Sequence, residues 1–226
     1  IAVVSSGDEL IKVSKKPKPH QKRRSNAHAC VAQLAVMGIA ADAFHFEDNE
    51  ASIHKHLSKI LDTYQVVVLS GGVSMGKFDL IPKVLESLGV EKSFYKVKQR
   101  PGKPFWFGRH PEKGVKVFAF PGNPVSTFVG MEAYLLPWIR TNLGMIKKIL
   151  PYVRLSSDVV FKPDLLHYLQ VAIEYTSDGK TLAHPRRGKG SGDHANLADV
   201  DGFIILPRGK EVFEKGEIFE MIQFRK

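Results

Sequence analysis

Residues 66–89, VVVLSGGVSMGKFDLIPKVLESLG, constrain the fold more than any other stretch of the chain. Residues 66–69 are a short β-branched-rich run suited to a strand buried on both faces. The run stops at Ser70-Gly71-Gly72, where a glycine pair permits a sharp turn and close approach of a ligand to the main chain. Asp79 then reads as the N-cap of a helix. Leu80 or Ile81, Val84 or Leu85, and Leu88 follow at helical spacing, with Gly89 as the C′ residue. In a strand, glycine turn and helix start, backbone N–H groups and the helix dipole face an anion. An ordinary βα loop with an Asp cap fits the same residues, and both readings stand at this point.

The pattern recurs. Residues 115–120 form a second buried run closed by Pro121-Gly122-Asn123-Pro124, with Asn123 as N-cap and Pro124 at the first helical position. The helix that follows carries Val125, Phe128 or Val129, Leu135 or Leu136, Ile139 and Leu143, with Gly144 as its stop; Pro137 inside it predicts a kink or break. Upstream, residues 1–4 read as a strand ending in Ser5-Ser6-Gly7-Asp8-Glu9. Ser25 reads as an N-cap for a helix with Ala27, Cys30 or Val31, Leu34 and Met37 on one face, ended by Gly38. Residues 39–46 suit a strand, residues 47–50 an acidic turn, and Ile53, Leu57 and Ile60 or Leu61 one helix face. Strands at 94–98 and 105–107 flank Arg100-Pro101-Gly102-Lys103-Pro104. That turn is either a rigid mount for two cations or a tight hairpin with exposed charges. Alternating strands and helices predict an α/β domain with a mostly parallel sheet and flanking helices over residues 1–147.

From residue 148 onward the pattern changes to a small all-β, barrel-like domain. Val171, Ile173 and Tyr175 alternate with polar residues, Ser177-Asp178-Gly179-Lys180 is a hairpin turn, and residues 188–193 form a glycine-rich loop. Residues 203–206 and 218–224 supply further strands, with one short helical turn expected near residues 194–198.

The net charge of +10 suits an anionic partner. Lys12, Lys15, Lys16, Lys18, Lys22, Arg23 and Arg24 crowd into one proline-containing stretch, which no aromatic residue interleaves, so nucleic acid is not expected. No apolar run approaches the ~20 residues of a membrane helix. The one cysteine, Cys30, excludes an internal disulfide and fits a reducing cytoplasm, as a buried thiol.

Ligands of parallel α/β sheets bind beyond the carboxyl ends of the strands. Here those ends carry Asp8, Glu9, the 70–72 turn with Asp79, and the 121–124 turn, with Asp48 in the acidic turn as a further acid. Carboxylates beside anion-binding turns make chemical sense where a divalent cation bridges them to phosphate oxygens. Arg100 and Lys103 would hold phosphate or another oxyanion. No zinc-type spacing, P-loop or G-x-S-x-G elbow is present.

The segments SGDEL (6–10), SN (25–26), SGGVSMGKFD (70–79), RPGKP (100–104) and FPGNPVS (120–126) together resemble the molybdopterin molybdenumtransferase family, MoeA and the gephyrin E domain. HYLQV (167–171), GSGD (190–193) and ADVDGFIILP (198–207) agree with its C-terminal β domain. The resemblance implies a MogA-like molybdopterin-binding domain and insertion of molybdate into adenylated molybdopterin, with release of AMP and Mg²⁺ assisting. It makes Glu9, Asp48 and Asp79 the functional acids, with Glu9 and Asp79 at the metal. Ser70, Gly71, Gly72, Ser74, Arg100, Lys103, Pro121, Gly122, Asn123, Pro124 and Ser191 become the substrate-binding set. It also implies a cytoplasmic, homodimeric full-length protein with further domains upstream, of which this chain is the C-terminal part, inactive in isolation. Two departures stand out: Arg100 replaces the usual lysine, and residues 164–168 lack the arginine usual near Leu165. Two other functions fit the residues: a pterin-binding or adenylating module without metal insertion, and a gephyrin-like scaffold.

Overall fold

The computed structural model describes residues 1–73, 80–186, 188 and 195–225. Among them, six strands form one sheet: β1 (Ala2–Ser6), β2 (Asp42–Phe46), β3 (Val66–Ser70), β4 (Glu91–Tyr95), β5 (Trp106–Arg109) and β6 (Lys116–Phe120). The order is β2-β1-β3-β6-β5-β4, parallel from β2 to β6, with β5 and β4 adding an antiparallel edge. The period-two pattern decides the packing. Ala2, Val4, Val67, Leu69, Val117 and Ala119 share a core with Ile53, Leu57, Ile60 and Leu61 of α2 (Glu50–Thr63) and Ile81, Val84 and Leu85 of α3 (Leu80–Ser87). Helix α1 (Ser25–Val36) packs on β1 and β2 and buries Cys30, whose thiol burial pushes up to about 12.

Three local expectations change. Ser25 is the first helical residue rather than the cap; Arg24 holds the cap position without a side-chain bond. Strand β2 begins at Asp42, not at residue 39, because α1 closes through Gly38 (φ +74°). Gly38 N–H donates to Ala35 O and Ile39 N–H to Leu34 O, which ties Ile39 to the helix end. The kink expected at Pro137 takes the form of a π-helical segment. Helix α4 (Pro124–Gly130) passes into Met131–Leu135, where Leu136 N–H donates to Met131 O, and then into α5 (Leu136–Asn142). Pro137 thereby falls in the first turn of α5, where its missing N–H breaks no bond.

The later strands are β7 (Tyr152–Leu155), β8 (Leu166–Tyr175), β9 (Thr181–Pro185), β10 (Gly202–Leu206) and β11 (Ile218–Gln223). Their order is β9-β7-β11-β10-β8, and pairing of β8 with β9 closes a five-stranded barrel around Val153, Leu155, Leu169, Val171, Ala183, Ile204, Leu206, Phe219 and Met221. Closure depends on the length of β8: residues 167–171 pair with β10 and residues 171–175 with β9.

By contacts the chain divides into two units, Ile1–Val97 with Pro104–Phe128, and Lys98–Lys103 with Val129–Lys226. The hairpin reading of residues 94–107 therefore holds for its strands but not for a tight turn. Strands β4 and β5 do pair antiparallel, but between them Gln99–Arg100 pairs in parallel with Leu166 and His167 of β8. Among the described residues no helix is long and apolar enough to cross a membrane.

Candidate functional site

Three connections meet at the carboxyl ends of the parallel strands. After β1 the chain turns at Gly7 (φ +136°), and a Cβ there would lie 2.6 Å from Glu9 Oε2, so the Glu9 carboxylate is folded over the glycine. After β3 it turns at Gly71 (φ +105°) and Gly72 (φ +67°), both in the left-handed half of conformational space that glycine enters freely. Gly71 N–H donates to Phe120 O at 3.1 Å. After β6 comes the 121–124 turn, and a Cβ on Gly122 would stand 3.5 Å from Gly71 Cα: the two turns lie backbone against backbone. Thr127 N–H donates to Asn123 O at 3.0 Å, the first helical bond of α4, which places Pro124 at the first helical position as its fixed φ favours.

A polar hub clamps the turns after β3 and β6 together. Asn26 Nδ2, at the start of α1, donates to Ser70 Oγ and to Gly122 O, each at 2.8 Å, and reaches Thr127 Oγ1 at 3.2 Å. Thr127 Oγ1 in turn donates to Pro121 O at 2.8 Å and lies 3.1 Å from Ser70 Oγ. Ser70 and Thr127 are buried, so the Ser70 hydroxyl serves the architecture of the turns, while Gly71 and Gly72 beside it are partly open. Neither Asn26 nor Thr127 stood out as a site residue. Asn26 figured only in the SN pair, and the hub joins it to positions 44 and 101 residues away.

Carboxylates border the same strand ends. Asp48 N–H donates to Asp8 Oδ1 at 2.9 Å, which brings the acidic turn after β2 against the end of β1. Partial burial, then the charges of Asp8 and Glu9, raise the Asp48 pKa above the ordinary carboxylate range. His45, whose Nδ1 lies 3.1 Å from Ser5 Oγ, is held below its ordinary pKa by burial and next by Arg24. Among the described residues no group of three or more His, Cys, Asp or Glu side chains is arranged to hold a metal ion. Ser74, Asp79 and Ser191 lie outside the described residues.

The cationic turn belongs to the second unit. Its Arg100–Pro101 bond is cis and Gly102 has φ +88°. Gln99 is buried; its Nε2 donates to Pro101 O at 2.9 Å, and its Oε1 accepts from the hydroxyl of Tyr134, which is itself bonded to Tyr168. Outside this anchor Arg100 and Lys103 are exposed, with the Arg100 guanidinium 6.0 Å from the centre of the Phe161 ring. His167 stacks on the same ring at 4.0 Å, and burial, then Arg100, lower its pKa to about 4. In the segment that lacks the arginine near Leu165, Asp164 forms an exposed ion pair with Arg208.

Turns of touching glycine backbone form a surface suited to a phosphate-bearing ligand. Comparisons with known proteins agree in kind. Residues 2–141 match the family model described as a probable molybdopterin binding domain, and residues 152–224 that of the MoeA C-terminal region (domain IV). The chain is 36% identical over 220 residues to a molybdopterin molybdenumtransferase of Synechocystis sp., covering 97% of this chain and 54% of that one. A Bacillus subtilis protein of the same name is 29% identical, with 100% and 52% covered. The crystal structure of a molybdopterin biosynthesis MoeA protein from Pyrococcus horikosii superposes with a TM-score of 0.83 at 30% identity, covering 100% of this chain and 54% of that one. The chain thus spans about half the length of the curated relatives it matches.

Proposed function

The chain belongs to the MoeA family of molybdenum cofactor biosynthesis proteins, and from that premise we propose that it serves the insertion of molybdate into adenylated molybdopterin with release of AMP. The observation that carries this reading is the meeting of three strand-end turns, two of them locked by Asn26, bordered by Asp8, Glu9 and Asp48. All of these residues fall within the stretch 2–141 that matches the molybdopterin-binding family model.

In this proposal the backbones of Gly71, Gly72, Gly122 and Asn123, with Ser74, receive the pterin and its phosphate. Arg100, Lys103 and Ser191 are further oxyanion-binding groups. Glu9 and Asp79 hold Mg²⁺. The donors suit that ion: Mg²⁺ is commonly bound through one or two carboxylates, with water and substrate phosphate completing its shell, so no three-ligand protein cage is needed. When bound, the ion offsets phosphate charge. Asp48, whose pKa partial burial and then Asp8 and Glu9 raise, is the third functional acid of the set. The full-length protein acts as a cytoplasmic homodimer, and this chain alone binds the pterin without turning it over. Catalysis requires reacting groups held in fixed geometry and shielded from bulk water.

Asp79→Asn in the full-length protein tests the reading. Asn caps helices about as well as Asp, so stability should stay within about 1 kcal/mol. Molybdate-dependent AMP release should fall by about 100-fold or more. Wild-type turnover in that variant would overturn the assignment. AMP release independent of molybdate would favour an adenylate-processing module over metal insertion.

A further inference from the structure

Residues 12–24 hold Lys12, Lys15, Lys16, Lys18, Lys22, Arg23 and Arg24 and no acid, so one loop carries seven positive charges in a chain of net charge +10. Among the described residues none of the seven takes part in an ion pair. The loop is nonetheless ordered by its own backbone. Leu10–Ile11 and Lys22–Arg23 pair in parallel, Lys22 N–H donates to Glu9 O at 2.8 Å, and Arg24 N–H donates to Ile11 O at 3.0 Å. Inside it, Lys15 N–H donates to Lys12 O, Gln21 N–H to Lys18 O, and Arg23 Nε to Lys15 O. These bonds occupy the main chain and leave the ammonium groups of Lys12, Lys15, Lys16, Lys18 and Lys22 on exposed residues.

The loop leaves the sheet directly after Asp8 and Glu9 and returns to the same point. Its last cation, Arg24, lies near enough to His45 to depress that imidazole's pKa. The strand ends themselves carry the carboxylates of Asp8, Glu9, Glu47 and Asp48, which by themselves disfavour an incoming anion. We infer that loop 12–24 is a steering surface that draws a multiply charged, phosphate-bearing pterin to these strand ends, an inference that rests on the function proposed above. Clustered cations beside a site raise the local concentration and association rate of an anionic ligand, and salt removes the effect. The absence of aromatic residues from the loop, which leaves bases nothing to stack on, favours a small anion over a nucleic acid.

The test follows association of molybdopterin with the full-length protein by stopped-flow fluorescence, in wild type and in the triple variant Lys15→Gln, Lys16→Gln, Lys18→Gln. At about 20 mM salt, where the screening length is roughly 20 Å, the variant should associate about tenfold more slowly with an unchanged dissociation rate. At about 500 mM salt, with screening over roughly 4 Å, the two rates should converge. A control of equal charge change at the amino ends of the strands (Lys92→Gln, Lys113→Gln, Lys116→Gln) should leave the low-salt rate near wild type. Equal rates for wild type and the loop variant at low salt would overturn the inference, as would slowing that persists at high salt or an equal effect of the control. Unchanged association combined with lost retention on heparin would overturn it in favour of a macromolecular polyanion. Failure of the wild type to bind molybdopterin at all would remove the proposed function, and this inference with it.

Discussion

The two units hold their candidate residues by opposite means. In the first, the turns after β1, β3 and β6 touch through glycine backbone, and Asn26, Ser70 and Thr127 tie the last two together. In the second, one cationic turn is pinned by pairing with β8 and by the buried chain Gln99–Tyr134–Tyr168, while Arg100 and Lys103 stand outside the anchor. The difference separates shape from charge. Where main chain makes the surface, almost any added atom disturbs it. Where exposed side chains make it, the charged residues can change without touching the fold.

The sharpest test of that contrast is Gly72→Ala. Its φ of +67° and a Cβ 2.5 Å from Cδ1 of the buried Ile81 combine backbone strain with overpacking, for about 2–4 kcal/mol of lost stability. Gly114→Ala, at φ +69° with nothing within 4 Å, should cost only the strain, about 1 kcal/mol. Equal losses in urea denaturation of this chain would mean that the close packing of the turns contributes nothing. Next in size, Asn26→Ala removes the donor shared by Ser70 and Gly122 O and should cost about 2 kcal/mol. In the full-length protein it should also lower AMP release more than it lowers stability would explain. A variant as stable and active as wild type would dissolve the hub.

In the second unit, the imidazole of His167 has a folded pKa of about 4 against an ordinary 6.5. The unfolded chain therefore binds the proton first as pH falls. Stability is fully present above pH 6.5 and is lost between 6.5 and about 4, on the order of 1–2 kcal/mol after allowance for partial solvent exposure. His167→Gln should flatten that part of the stability-versus-pH curve; an unchanged slope would show that other groups set it. The smallest effects come as a pair. Tyr134→Phe removes the hydroxyl bond to Gln99 and should cost about 1 kcal/mol. Lys103→Ala should change stability by no more than about 0.5 kcal/mol yet raise the substrate KM. Destabilisation by Lys103→Ala comparable to that of Tyr134→Phe would erase the division between anchor and charge.

Much of the fold was legible from the chain because its causes are local. Burial of β1, β3 and β6 on both faces follows from their continuous apolar runs, and the helical spacing of Ile53, Leu57 and Leu61 follows from helix geometry. Gly71 and Gly72 announced a turn because few other residues adopt a positive φ without strain. The carboxylates and turns of the site were likewise read from their place at strand ends. Tertiary structure alone decided which of them meet. The Asp8–Asp48 bond spans 40 positions and the Asn26–Thr127 contact 101, and the pairing of Gln99–Arg100 with β8 opens the turn of the hairpin that its neighbours form. Closure of the barrel through the two halves of β8 is of the same kind. Local propensity reports what a few neighbouring residues prefer; these contacts form because sheet pairing and core burial bring distant segments together, and buried polar groups then take the partners they find there.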